Sequence, residues 1–190
     1  MRAELRDSLE NIYPDSVVGK AVVPEMTLDA ARGGTLAVHI LINGLRAGST
    51  LRFRVGGDRP GIPLKPAWFQ LVDVPVRENS GFLGMRERDT TEGANRPNPF
   101  VVRRAPFKTY DPMKPVVSPL RASASTLVLR LHVPVPLNAR PGKHTFRITM
   151  DAGKECAKLS FTARVHRVRI PPVGAASYPY TNWFNLKYNK

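Results

Sequence analysis

Cysteine is almost missing from this chain: Cys156 is the single one in 190 residues. A disulfide framework within the chain is thereby excluded, and so is a thiolate-rich metal site. Cys156 opens a strand-like run, where a small buried or half-buried thiol is expected rather than a nucleophile. Long apolar runs are missing as well. No stretch reaches the roughly 20 apolar residues that cross a bilayer as a helix. The N-terminal MRAELRDSLENIYPD mixes both charges early and has no apolar signal-peptide core. The expectation is a cytoplasmic protein without a membrane partner.

Acidic residues are scarce in one half only. Residues 1–92 carry 12 Lys/Arg and 12 Asp/Glu, whereas residues 93–190 carry 17 Lys/Arg against Asp111, Asp151 and Glu155. The net charge of +14 therefore belongs to the second half. Such an excess fits an anionic polymer or an acidic partner domain. The cations fall singly on alternating strand positions, without the aromatic–basic interleaving of nucleic-acid binders. A solvated or partner-facing sheet face outweighs nucleic acid.

Helical periodicity is scarce too, and 18 prolines, nearly twice the usual share of about 5%, argue for short strands and turns. Residues 1–16 read as a weakly helical or irregular lead-in. Val17–Asp29, split by Pro24, suits an edge strand, and Ala30–Gly34 a turn. Thr35–Asn43 is apolar on both faces, as a central strand is. Thr50–Val55 alternates Leu51, Phe53 and Val55 against Arg52 and Arg54. These two runs are expected to form a hairpin. Ser125–Val133, His144–Met150 and Ala157–Ile170 repeat the two-residue period, with a tight turn at Asp151–Glu155. Period-two strands joined by Gly/Pro turns indicate an all-β fold, an antiparallel β-sandwich of immunoglobulin/fibronectin-like kind, over residues 1–170.

Between Trp68–Val76 and a strand expected over Phe100–Ala105 lies a long insertion, 77–99, polar and without helical period. Structureless loops beyond about 12–15 residues are usually functional or disordered. Arg86, Arg88, Asp89 and Glu92 fall in it, and Arg103, Arg104 and Tyr110 follow it. The extended tail 171–190 gathers Tyr178, Tyr180, Trp183 and Phe184, a cluster expected to dock on the sandwich or on a partner domain.

A search for chemistry returns little. His39, His132, His144 and His166 lack metal-ligand spacing, and no nucleophile elbow or phosphate loop is present. Asp73, Glu78, Asp89, Glu92 and Asp111 could supply the paired carboxylates of a glycosidase. They lie among arginines that would keep them ionised, so solvated or ion-paired loop charges outweigh acid–base work. Sugar stacking on Trp68, Tyr110, Tyr178, Tyr180 or Trp183 is open, although in-strand Trp68 suits the core better. No catalytic, metal or cofactor site is expected within the chain.

The blocks LVDVPVRENSG (71–81), NPFVVRRAPFKTYDPMKPV (98–116), RPGKHTFRIT (140–149), VHRVRIPP (165–172) and YTNWFNL (180–186) carry a resemblance. Together they resemble the N-terminal β-sandwich region of bacterial glycoside hydrolases. In that family the sandwich precedes a (β/α)8 barrel of unknown function, similar to the β-N-acetylgalactosaminidase-like hydrolases. The resemblance runs from about Leu5 to Leu186 and implies that the catalytic acids lie in the barrel, outside this chain. It implies a truncated, non-catalytic accessory module that packs against a barrel in cis or in trans. The partner or ligand surface would comprise Arg86, Arg88, Arg103, Arg104, Tyr110, Tyr178, Tyr180, Trp183 and Phe184. A carbohydrate-binding module and a polyanion binder are the alternatives.

Overall fold

Ten strands and no helix make up a computed structural model that describes residues 1–19, 25–57, 65–79 and 101–171. They are β1 (Arg2–Asp7), β2 (Met26–Arg32), β3 (Thr35–Asn43), β4 (Thr50–Gly57) and β5 (Ala67–Val76). β6 (Phe107–Val116), β7 (Leu120–Arg121), β8 (Leu127–Pro134), β9 (Gly142–Ala152) and β10 (Glu155–Arg169) follow. Two five-stranded sheets result, ordered β1-β3-β8-β5-β6 and β2-β10-β9-β4-β7. All pairings are antiparallel except β2 with β10, which is parallel. The β-sandwich expected from the alternation is the fold.

The core between the sheets is the inward half of each alternating run. Leu36, Val38, Ile40 and Ile42 of β3 and Leu127, Leu129, Leu131 and Val133 of β8 come from the first sheet. Leu51 and Phe53 of β4, Phe146, Ile148 and Met150 of β9, and Phe161 and Ala163 of β10 come from the second. Phe146 and Phe161 are cross-strand partners whose rings stack with centroids 5.0 Å apart. Trp68 is half-buried against this core, its ring 4.8 Å from that of Phe53.

Several expectations need correction. The lead-in is a true strand: β1 pairs with β3 from Arg2↔Asn43 to Asp7↔Val38. Its alternation was masked because its outward Glu4 is also buried. β3 and β4 do not form a hairpin, because β3 is flanked by β1 and β8 and the chain then crosses to the other sheet. Buried Leu45 sits at that corner, its amide donating to Ser125 O. In Val17–Asp29 the strand begins only at Met26, and it runs on to Arg32, so the turn shrinks to Gly33–Gly34. Residues 101–106 carry no strand; the return strand is β6, which continues through Pro112 and Pro115. Those prolines are tolerated because β6 is the sheet edge, where an amide has no ladder partner to lose. Cys156 is exposed, not half-buried.

Candidate functional site

Residues 8–19 cross the outer face of the first sheet as a strap. Their apolar members, Ile12 and Val18, join Leu41, Leu71 and Val128 in a second, smaller cluster against which Tyr110 packs. Polar anchors hold the strap along its length. Glu4 Oε2 accepts from the Gly19 amide at 2.7 Å, and Glu4 is ion-paired with Arg6. Asn43 accepts from the Val18 amide and donates to Ser16 O. The Tyr110 amide donates to Ile12 O at 2.9 Å.

Beneath the strap stands a cationic group. Arg130 of β8 donates from Nε to His132 Nε2 at 2.8 Å and from Nη1 to Ser8 O at 3.1 Å. Its Nη1 also lies 3.0 Å from Nε2 of His39 on β3. A guanidinium can only donate, so both imidazoles accept and both are neutral, with the proton on Nδ1. Burial, then the charge of Arg130, pushes His39 down to about 4, and the same two causes lower His132. With each Nε2 lone pair committed to Arg130, these rings hold no metal. Among the described residues no group of three His, Cys, Asp or Glu side chains is placed to hold one. The alternation along β8 put Arg130 and His132 on one face, but their meeting with His39 needed the pairing Ala37↔His132 and His39↔Arg130.

The expected surface residues divide sharply. Arg86, Arg88, Tyr178, Tyr180, Trp183 and Phe184 lie outside the described residues, as do Asp89 and Glu92. Arg103 forms a bidentate pair with Asp15 of the strap, at 2.9 and 2.7 Å. Its guanidinium lies 4.5 Å from the Tyr13 ring centroid and 5.5 Å from that of Phe107. The hydrogen bonds from Arg103 hold Asp15 below the usual carboxylate range, and Arg103 is raised in turn. Asn79 closes the base of the insertion: its Nδ2 donates to Arg103 O at 3.3 Å, and its Oδ1 accepts from the Ala105 amide at 2.8 Å. Arg104 also has a partner.

Tyr110 is half-buried, its pKa raised by burial and then by Asp73, and its hydroxyl reaches Thr126 O at 3.4 Å. Arg103 and Tyr110 thus both hold the strap, Arg103 through Asp15 and Tyr13, and Tyr110 through Ile12. Of the candidate carboxylates, Asp73 is ion-paired with Lys108 at 2.8 Å, which lowers its pKa, and Glu78 is also partnered. Asp111 is exposed. Asp73 is thus held as a base too weak for acid–base catalysis near neutrality. Among the described residues no helix is long and apolar enough to cross a membrane.

No family model matches the chain, and no curated protein matches it. Among solved structures it is similar to a family 123 glycoside hydrolase from Clostridium perfringens studied for glycolipid glycan hydrolysis. That likeness has 14% identity and a TM-score of 0.54 over 90% of this chain. The chain spans 28% of the length of that hydrolase. It also aligns with the N-terminal domain of PorA, at 12% identity over 88% of this chain and 99% of that one, with a TM-score of 0.29. The first likeness establishes a fold shared with part of a glycoside hydrolase.

Proposed function

We propose that this chain is a non-catalytic accessory β-sandwich of a glycoside-hydrolase-like protein, which packs against and supports a catalytic (β/α)8 barrel. The observation that carries the reading is the lopsided coverage of the structural likeness: nearly all of this chain answers to 28% of a hydrolase. The local chemistry agrees with it. Asp15 and Asp73, near the base of the insertion, serve ion pairs, His39 and His132 accept from Arg130 beneath the strap, and the strap supplies a surface for a neighbour. In this reading residues 1–170 are the module and 171–190 lead toward the partner domain. Arg86, Arg88, Arg103, Arg104 and the aromatics Tyr178, Tyr180, Trp183 and Phe184 line the contact.

The test is the coding frame downstream of the Lys190 codon and in its neighbouring frames. An alternating strand–helix pattern of about 250 residues, the size of such a barrel, is expected there. Its absence from all of them overturns the reading. Hydrolysis of aryl N-acetylhexosaminides by the purified chain, lost in step with its unfolding, would overturn the non-catalytic part.

A further inference from the structure

The second sheet turns its outer face away from the core, and strand alternation loads that face with cations. Arg52 and Arg54 of β4, Arg147 of β9 and Lys158 of β10 are all exposed. Register brings them together. Arg54, Thr149 and Lys158 form one cross-strand row, and Gly56, Arg147 and Ser160 form the next. With strands about 4.8 Å apart and same-face neighbours about 6.8 Å apart along a strand, the two rows occupy a patch roughly 10 Å across. A shallow depression of about 200 Å³ lies within it, lined by Arg147, Thr149, Lys158 and Ser160 over Ile148 and Leu159. Beside it, the Gly56 position opens onto empty space, with nothing within 4 Å of where a Cβ would stand.

Glu25, Asp29 and Asp151 stand around the two rows, and Glu25, accepting from the Thr162 hydroxyl, borders Ser160 two positions along β10. Asp29 pairs with His166 at 2.6 Å and with Arg164 at 3.8 Å, beyond one end. Asp151 stands at the other end, between Arg52 and Cys156 in the ladder, and takes the Cys156 thiol. Among the described residues none of Arg52, Arg54, Arg147 and Lys158 has a carboxylate within ion-pairing distance. Clustered like charges cost the folded state energy. A ligand of opposite sign would offset that cost.

The side chains on the patch also select among anions. Nucleic-acid bases and neutral sugars both favour aromatic faces, and the patch offers none, whereas its guanidinium groups serve any anion. Cores of protein–protein interfaces are apolar and depleted of lysine, and this patch exposes cations and hydroxyls instead. Guanidinium and ammonium groups interleaved with hydroxyl donors suit oxyanions carried on a flexible chain.

We infer that this face binds an anionic polysaccharide, a glycan chain bearing sulfate or carboxylate groups. Arg147 and Lys158 grip an oxyanion in the depression, with Thr149 and Ser160 donating to its remaining oxygens. Arg54 receives the next group along the chain. This site is independent of barrel support and stands or falls without it.

Calorimetric titration of the whole chain tests it with four probes: heparin for sulfate, polygalacturonate for carboxylate, dextran as the neutral glycan, and duplex DNA. One or both anionic glycans are expected to bind, dextran not at all, and DNA more weakly than the better glycan. The variant R147E/K158E is expected to lose about tenfold or more in affinity and to flatten the dependence of log K on log salt. R2E/K114E makes the same charge change on exposed positions of the first sheet and is expected to cost less than about threefold. Unchanged melting temperatures establish that both variants fold. The inference is overturned by equal losses in the two variants, by no heat from either anionic glycan at about 50 mM salt, or by tighter binding of DNA. Which anionic glycan wins identifies the group that the depression reads.

Discussion

Arg130 fixes the protonation state of His39 by donating to it, 3.0 Å across the β3–β8 ladder. Burial disfavours the imidazolium, and the charge of Arg130 beside it adds to that, so the pKa of His39 falls from 6.5 to about 4. The folded state therefore binds fewer protons than the unfolded state between those values. Stability contributed by neutral His39 is complete above pH 6.5 and drains away as pH falls toward 4. The loss over that window is roughly 3 kcal/mol. Urea titrations from pH 7 to pH 4 should show this decline, and His39→Gln, which keeps an acceptor for Arg130, should flatten it. A variant with the same slope as the parent would refute the assignment.

The strap is held by burial as well as by hydrogen bonds, since Ile12 is only 2% exposed. Ile12→Ala should cost about 3 kcal/mol, the usual range for an aliphatic truncation in a packed site. It should also speed hydrogen exchange at the Tyr110 amide, which donates to Ile12 O. A cost within experimental error would mean that the strap is peripheral to the fold.

Gly33 joins β2 to β3 with φ of 83°. A Cβ there would stand 2.8 Å from both Ile170 O and Leu137 Cδ2. One of these is backbone, held by the Ile170 amide donating to Arg32 O, so it cannot swing aside. Gly33→Ala should destabilise by about 2 kcal/mol, lowering the melting temperature by roughly 4–8 °C. A neutral or stabilising result would contradict the turn.

Exposure alone does not make Cys156 reactive. Its thiol donates to Asp151, which raises its pKa, and the nearby charges of Lys158 and Arg54 only partly oppose this. Alkylation by iodoacetamide at neutral pH should be slow for so accessible a thiol, and Asp151→Asn should accelerate it severalfold. Equal rates in the two proteins would count against the hydrogen bond as the cause.

How far the sequence reveals this molecule depends on which face covers which residue. β8, β9 and β10 were legible because one side is core and the other solvent, so Leu129 and Arg130, or Ile148 and Arg147, differ in polarity. β1 was not, because the strap hides its outer side and Glu4 is buried beside Leu5. The return strand expected over Phe100–Ala105 is instead Phe107–Val116, where Pro112 and Pro115 are harmless because β6 is the sheet edge. Nothing in their local sequence marks Asn79, Asp15 and Tyr13. They become a unit only when the fold brings the start of the chain to the base of the insertion. The basic excess was visible as a number, but its concentration on β4, β9 and β10 needed the register.

Asn79 gives the insertion a closed neck, above which the rungs Val74↔Thr109 to Val76↔Phe107 already hold the two ends. Loop-closure entropy grows only logarithmically, about 0.6 kcal/mol for each doubling of length. The closure cost therefore depends little on the length threaded between Asn79 and Arg103. A change in that length costs the neck only tenths of a kcal/mol in closure entropy, so the number of residues in the insertion can vary without moving the β5–β6 register.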